Sequence, residues 1–137
     1  MLKVVVDTNV FISGLLNNST CRKVINHLKN STFILIISPV MLEELIGVMG
    51  RPKFHRVITS DIAQRLIEII KSQAVITKPR RKVSLIKNDP VDNMFLAAAL
   101  EGGADCVVTG DNHVLSVRED FSIPILTPAE FLKRLKG

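Results

Sequence analysis

The chain contains no tryptophan and no tyrosine, and phenylalanine, with six copies in 137 residues, is its only aromatic residue. A surface that stacks single-stranded bases on aromatic rings is therefore poorly supplied. Cysteine is scarce as well, because only Cys21 and Cys106 occur, far apart, with Cys21 at helical spacing from apolar residues and Cys106 in an apolar segment. This argues against a disulfide framework or a zinc site and predicts two core thiols in a cytoplasmic protein. The three histidines form no HxxxH or HxH pair, so they indicate no metal site.

Long hydrophobic runs are missing too. The longest, residues 94–100, is too short to cross a bilayer, and the N-terminus has no signal-peptide layout. We therefore expect no membrane association. A length of 137 residues with 47% hydrophobic content predicts one domain over residues 1–137 with a substantial core. The net charge of +5 is compatible with a nucleic-acid partner, although so modest an excess is weak support by itself.

Short all-apolar segments have the pattern of strands that are buried on both faces, which is typical of a parallel sheet covered by helices. Three such segments, residues 4–6, 33–37 and 106–108, are predicted strands, and two more short strands are predicted at residues 74–77 and 123–126. Apolar residues at helical spacing predict helices over residues 19–30, 39–49, 60–73, 90–101, near 112–118, and from 128 onward. Strands that alternate with helices in this way indicate an α/β fold with a parallel sheet.

Local signals define two of these helices further. Ser38 is the expected N-cap of one helix, with Pro39 at its first position. Its apolar face is expected to comprise Leu42, Leu45, Ile46 and Met49. Ser60 is the expected N-cap of the next helix. Residues 78–88 are expected to form an exposed, basic connection.

Most of the thirteen acids fit helix caps or solvated helix faces, but four do not. Asp7 and Asp111 end two buried strands, and Glu44 and Asp92 lie near the starts of helices beside the same edge of the predicted sheet. Ligands of open α/β sheets bind in the crevice outside the carboxyl ends of the strands. Four carboxylates within about 10 Å would repel one another by several kcal/mol in total at an effective dielectric near 20, so such a cluster calls for a cation.

Oxygen ligands without histidine or cysteine favour Mg²⁺ or Mn²⁺. An acidic metal site on a basic protein suits a polyanionic substrate. Some assignments stay open at this point. Asp7 could simply cap the helix that follows it, and either Glu43 or Glu44 could point inward. A fifth acid, Asp89, is better explained as an N-cap ahead of Pro90.

Several segments, taken together and in order along nearly the whole chain, resemble signatures of the PIN-domain family. They are VVDTNVFISGL at 5–15, LEEL at 42–45 with RPKF at 51–54, DPVDNMFLAAA at 89–99, ADCVVTGD at 104–111 and TPAEFL at 127–132. Within that family the chain looks most like the stand-alone prokaryotic PIN proteins that are similar to VapC-type toxins of toxin–antitoxin pairs.

The resemblance implies a PIN-like, Rossmann-like three-layer α/β/α fold with a central, mostly parallel sheet of about five strands. It implies an Mg²⁺- or Mn²⁺-dependent endoribonuclease, in the cytoplasm, that cleaves single-stranded RNA and leaves a 5′-phosphate and a 3′-hydroxyl. By this resemblance the catalytic and metal-binding acids are Asp7, Glu44, Asp92 and Asp111, and the supporting polar residues are Thr8, Asn9 and Thr109.

The resemblance also implies partners. An antitoxin protein would cover the acidic crevice. A homodimer or a higher homo-oligomer is expected, and the mean hydropathy of +0.29 suits such an assembly.

Three other classes compete with this interpretation. Phosphatase-like folds have Asp-x-Asp after the first strand, whereas Asn9 stands at the second acidic position here. A response-regulator receiver requires paired acids near the first strand and another acid ending the next buried strand or two, which this chain lacks. The remaining alternative is a non-catalytic PIN-like module that binds protein or RNA. Such a module need not bind Mn²⁺, so metal titration separates it from an enzyme.

Overall fold

The computed structural model describes residues 1–80, 83–86 and 90–136, with residues 90–92 described by their backbone alone. Its strands form one five-stranded sheet in which every neighbouring pair is parallel. In chain order the strands are β1 (Lys3–Val6), β2 (Ile34–Ile37), β3 (Val75–Ile76), β4 (Cys106–Val108) and β5 (Ile125–Leu126). The spatial order is β3-β2-β1-β4-β5, so β1 is the central strand.

Helices flank this sheet on both sides and make the fold a three-layer α/β/α sandwich, as predicted. They are α1 (Thr8–Leu15), α2 (Ser19–Lys29), α3 (Pro39–Met49), α4 (Ser60–Gln73), α5 (Pro90–Gly102), α6 (Asn112–Leu115) and α7 (Pro128–Lys136). α5 packs across β1, β2 and β4, whereas α7 packs against β5 and α2. No helix in the described part of the chain is long and apolar enough to span a membrane.

The central strands are buried because helices cover both of their faces. Val4 pairs with Leu35 of β2 and with Cys106 of β4, and none of these three side chains is exposed to solvent. Burial of each large aliphatic side chain contributes about 2 kcal/mol relative to its exposure. The unbroken apolar run of β1 therefore has the role that the sequence predicted, since a strand with one wet face would alternate with polar residues.

The N-cap of α3 is the predicted residue, whereas the N-cap of α4 differs from the prediction by one residue. Ser38 caps α3 with its side chain, and Pro39 holds the first helical position. Thr59, rather than Ser60, caps α4, because its Oγ1 accepts from the Ile62 amide at 3.3 Å. The prediction of Ser60 was wrong because two adjacent hydroxyl residues can each cap, and the backbone already turns helical at Ser60.

The apolar face of α3 is also displaced from its predicted position. Leu45 and Met49 are buried, as expected, but Ile46 is 42% exposed. Met41 and Val48 are buried instead. Since successive helical residues point about 100° apart, Ile46 lies beside the buried stripe and faces a surface groove.

The first helix, the cysteines and the basic connection also compare differently with the sequence predictions. Residues 8–15 form a full helix, which was not predicted from the sequence. Both cysteines are free and buried, as predicted, and burial raises the pKa of the Cys106 thiol to about 11, which makes it a poor nucleophile. The predicted N-cap Asp89 lies outside the described residues, as do residues 81, 82, 87 and 88 of the basic connection.

Candidate active site

Asp7 lies at the carboxyl end of the central strand and is almost fully buried, with 1% of its surface exposed. Its amide donates to the carbonyl of Val108 at 2.9 Å, so the backbone still runs beside β4 at this point. Its Oδ1 accepts from the amide of Asn9 at 3.0 Å, which caps α1. The capping role considered from the sequence is therefore real. It leaves the second oxygen, Oδ2, to face β4.

Thr109 meets that second oxygen. Its hydroxyl donates to Asp7 Oδ2 at 2.6 Å and accepts from the Asp111 amide at 3.0 Å. An amide can only donate, so the one hydroxyl hydrogen of Thr109 is committed to Asp7. Thr109 is completely buried. A single hydroxyl thus joins the ends of β1 and β4 and fixes the orientation of the Asp7 carboxylate.

Asp111 caps α6 as Asp7 caps α1. Its Oδ1 accepts from the amide of His113, two residues later, at 2.8 Å. Unlike Asp7, Asp111 is only partly buried. Its carboxylate is therefore more accessible to solvent than that of Asp7.

A third acid, Glu44, interacts electrostatically with Asp7. Burial raises the pKa of Asp7 above its ordinary value of 3.8, and the hydrogen bonds from Thr109 and Asn9 oppose this shift. The negative charges of Asp111 and Glu44 raise the pKa further. A buried carboxylate with two acidic neighbours is costly to ionise unless a cation compensates it.

The position of Glu44 bears on the choice between the two adjacent glutamates. Glu44 is partly buried and its charge acts on Asp7, whereas Glu43 is exposed. The geometry therefore favours Glu44. The two other predicted supporting residues differ from each other: Thr8 is buried, while Asn9 is exposed and contributes its backbone amide.

Asp92 lies in the first turn of α5, and its side chain is not among those described. Among the side chains that are described, no three acids, histidines or cysteines are grouped so as to hold a metal ion. The four-carboxylate metal cluster therefore stays a prediction. The donors that are visible fit a hard divalent cation in kind, because all are carboxylate oxygens and the innermost is buried.

Sequence reasoning missed Asn93. Its side chain is buried, and its Oδ1 accepts from the Ile86 amide at 2.9 Å while its Nδ2 donates to the Ile86 carbonyl at 2.7 Å. The pair of bonds ties the backbone before α5 to the turn that carries Asp92. A polar residue inside an otherwise apolar helix was the available signal, since buried polar groups need partners.

Comparisons with known proteins agree with this architecture. A family model described as the PIN domain matches residues 3–113, and the chain belongs to the PIN-domain family. PIN domains are in general nucleases that use divalent metal ions.

Two individual proteins are similar along almost the whole chain. The uncharacterised protein MJ1680 of Methanocaldococcus jannaschii is 28% identical over 147 aligned positions, which cover 98% of this chain and 92% of that protein. The crystal structure of PAE2754 from Pyrobaculum aerophilum matches with a TM-score of 0.60 at 16% identity, covering 98% of this chain and 90% of that one. At so low an identity the second match shows the fold alone.

Proposed function

We propose that this protein is an Mg²⁺- or Mn²⁺-dependent endoribonuclease that hydrolyses phosphodiester bonds of single-stranded RNA, and that it is the toxin of a toxin–antitoxin pair. One observation carries the proposal. The Thr109 hydroxyl connects Asp7 to the Asp111 backbone at the carboxyl edge of the sheet, where the Glu44 charge also acts on Asp7. That edge is where an α/β sheet binds its ligand.

The four acids act together in this proposal. Asp7, Glu44, Asp92 and Asp111 would hold the ion. Each Asp7 oxygen accepts one hydrogen bond within the described part of the chain, and a carboxylate oxygen has two lone pairs, so each oxygen retains capacity for a cation. Thr109 prevents the carboxylate from rotating away.

When bound, the ion supplies an activated water and Lewis-acid stabilisation of the charge that develops on the phosphate. One of the carboxylates accepts the proton of the attacking water, and the products are a 5′-phosphate and a 3′-hydroxyl. A net charge of +5 favours the approach of a polyanionic substrate.

The proposed partners follow from the same crevice. An antitoxin would silence the enzyme by covering the acids, and an arginine is the side chain best suited to pair with carboxylates in two-pronged geometry. The protein would act as a homodimer or a higher homo-oligomer.

The test is cleavage of an end-labelled, mixed-sequence single-stranded RNA by wild type and Asp7→Asn, with Mg²⁺, with Mn²⁺ and with EDTA. We expect cleavage by wild type alone and only with metal. Equal cleavage by both proteins would contradict the site assignment. If wild type neither cleaves RNA nor binds Mn²⁺ in a calorimetric titration, the chain is instead a non-catalytic binding module.

A further inference from the structure

The helix that carries Glu44 continues to a strongly basic segment, which we call the basic turn. It comprises residues 51–56 and includes a short 3₁₀ helix at Pro52–Phe54. Its four basic side chains are all exposed: Arg51, Lys53, His55 and Arg56. No Asp or Glu occurs from residue 45 to residue 60. In the described part of the chain the one ion pair is Arg118–Glu130, so the cations of the basic turn have no carboxylate partner there.

The basic turn borders a groove of about 530 Å³ between α3 and α4. This volume is within the usual range for small-ligand pockets, about 300–1,000 Å³. The floor is apolar and includes Met49, Ile58 and Ala63. The ring nitrogen Nε2 of His55 lies 3.1 Å from the carbonyl oxygen of Gly50, which ties the basic turn to the end of α3.

Polar groups lie at the rim of the same groove. The hydroxyl residues Thr59 and Ser60 line it beside His55. Thr59 accepts a hydrogen bond from the Ile62 amide and so retains its own hydroxyl hydrogen for donation. The groove therefore combines an apolar surface with hydrogen-bonding groups and, just outside it, the positive charge of the basic turn. A nucleotide has the matching features: a flat base with polar edges, joined to phosphates.

The distance from the acids also fits. Gly50 follows Glu44 by six positions, about 9 Å along the axis of α3 at 1.5 Å per residue, and the groove residues Ile46 and Met49 lie about 140° to 200° round that axis from Glu44. A single strand whose phosphate lies at Asp7 and Glu44 would therefore pass around α3 to reach the groove, over a path of a few nucleotides. Because Glu44 and one wall of the groove both belong to α3, the distance between them is fixed.

We infer that the groove and the basic turn form a nucleotide-binding subsite for the single-stranded RNA substrate. A base rests on the apolar floor between α3 and α4, and the flanking phosphates bind Arg51, Lys53 and Arg56. This inference rests on the proposed ribonuclease function of the acidic crevice. RNA fits better than an acidic peptide because a continuous polyanion can occupy the subsite and the crevice together.

The first test measures RNA binding without cleavage. Affinity of a fluorescein-labelled single-stranded RNA is followed by anisotropy across a range of salt, in an Asp7→Asn background. The variant is Arg51→Ala/Lys53→Ala/Arg56→Ala. Its matched control is Lys133→Ala/Arg134→Ala/Lys136→Ala, which removes the same charge from α7.

We expect the basic-turn variant to lose at least tenfold in affinity. Its slope of log K against log salt should fall by about 2, since each phosphate contact on a single strand contributes about 0.7. The α7 control should retain most of its affinity. Equal losses in the two variants would mean that only net charge matters and would overturn the inference.

The second test fills the groove without a change of charge. Ala63→Leu places a larger side chain on the groove floor, and Ala129→Leu is the matched control on an exposed position of α7. We expect Ala63→Leu to weaken RNA binding several-fold with an unchanged salt slope, and Ala129→Leu to bind normally. Circular dichroism melting of all variants separates loss of the subsite from loss of folding. Normal binding by a folded Ala63→Leu would overturn the placement of a base in the groove.

These outcomes are independent of the cleavage test. If wild type cleaves RNA but the basic-turn variant binds as well as its control, the inference fails and the proposed function stands. If binding depends on the basic turn but wild type never cleaves, the proposed function fails and the subsite stands as an RNA-binding surface. If RNA binding is insensitive to both changes while an acidic amphipathic peptide binds wild type and not the variant, the groove belongs to a protein partner and the inference is overturned.

Discussion

The ends of β1 and β4 are built on the same local plan, yet their acids are in different surroundings. In each case an aspartate caps the next helix by accepting, through Oδ1, the amide two residues later. Asp7 is buried at 1% exposure, while Asp111 is only partly buried. The cap is therefore the common element, and burial is what distinguishes the two carboxylates.

The strand register explains the difference in burial. Val6 pairs with Val108, so Asp7 and Thr109 are the next residues on neighbouring strands. Thr109 fills the buried position on β4, and Asp111 comes two residues further out. A neutral hydroxyl thus lies where a second buried acid would otherwise be. We expect the buried, oriented Asp7 to be the acid on which metal binding depends most, with Asp111 able to adjust to the substrate.

The strongest test of this asymmetry replaces each aspartate by asparagine. Asp7→Asn should lower single-turnover RNA cleavage by on the order of 10³-fold and Asp111→Asn by about 10²-fold, the range found when one preorganised electrostatic group is removed. Saturating metal and RNA should be used so that the chemical step is compared. A larger loss for Asp111→Asn would contradict the ranking by burial.

The bridge between the two ends gives the next largest effect. Thr109→Val removes the hydroxyl at nearly constant volume and frees both Asp7 Oδ2 and the Asp111 amide. We expect a loss of about 10- to 100-fold in metal affinity or activity, as for other groups that orient a metal ligand. Thr109→Ser keeps the hydroxyl and serves as the control. It should retain most of the Mn²⁺ affinity measured by calorimetry, and an equal defect in both variants would indicate a packing role instead.

The third comparison extends the site to α3. Glu44→Gln should reduce cleavage by about tenfold, the lower end of the effect expected for a group that tunes a metal site. Glu43→Gln should leave cleavage unchanged, because Glu43 is exposed and, of the two glutamates, only Glu44 raises the pKa of Asp7. The two variants have the same net charge, so a difference between them cannot arise from altered RNA attraction. The reverse ranking would place the catalytic glutamate at position 43.

The fold was largely predictable because its strongest signals are local. Three all-apolar segments, such as residues 106–108, have the pattern of strands covered on both faces, and parallel pairing follows from it. Element ends were less predictable. Thr59, and not Ser60, caps α4, because two adjacent hydroxyl residues can each cap a helix. Helix faces were less predictable too: Ile46 is exposed, because one residue of offset rotates a helical side chain by about 100°.

The positions of the candidate acids in the fold were predictable, but the hydrogen bonds that connect them were not. Strand ends and family motifs indicated Asp7 and Asp111, since parallel strands bring their carboxyl ends to one edge. No spacing rule could show that Thr109 donates to Asp7 across 102 positions, or that Asn93 clamps the backbone of Ile86. Such bonds depend on strand register and on helix rotation. Those quantities are set by tertiary packing and cannot be read from periodicity.

The smallest predicted effect is on stability in the absence of metal. The pKa of Asp7 is raised in the folded protein, so the folded state holds this proton more tightly than the unfolded state. The favourable contribution of the protonated Asp7 carboxyl to the free energy of unfolding is complete below the unfolded pKa of 3.8. It is lost as the pH rises through the pKa of the folded protein. In EDTA at pH 7, Asp7→Asn should therefore stabilise the protein by about 1 kcal/mol, or about 4 °C in Tm.

The dependence of this gain on pH provides the control. The carboxamide introduced by Asp7→Asn would keep the bond from the Asn9 amide but cannot accept the Thr109 hydroxyl through its nitrogen, which offsets part of the gain. The difference in Tm between variant and wild type, followed by calorimetry in EDTA from pH 7 to pH 4, should shrink as Asp7 of the wild type becomes protonated. Asp111→Asn should change Tm less than Asp7→Asn at pH 7, since its carboxylate is partly solvated. A lower Tm for Asp7→Asn at pH 7 would mean that the lost hydrogen bonding outweighs the cost of the buried charge. The two strand ends would then differ in the strength of their helix caps and not in the cost of the buried acid.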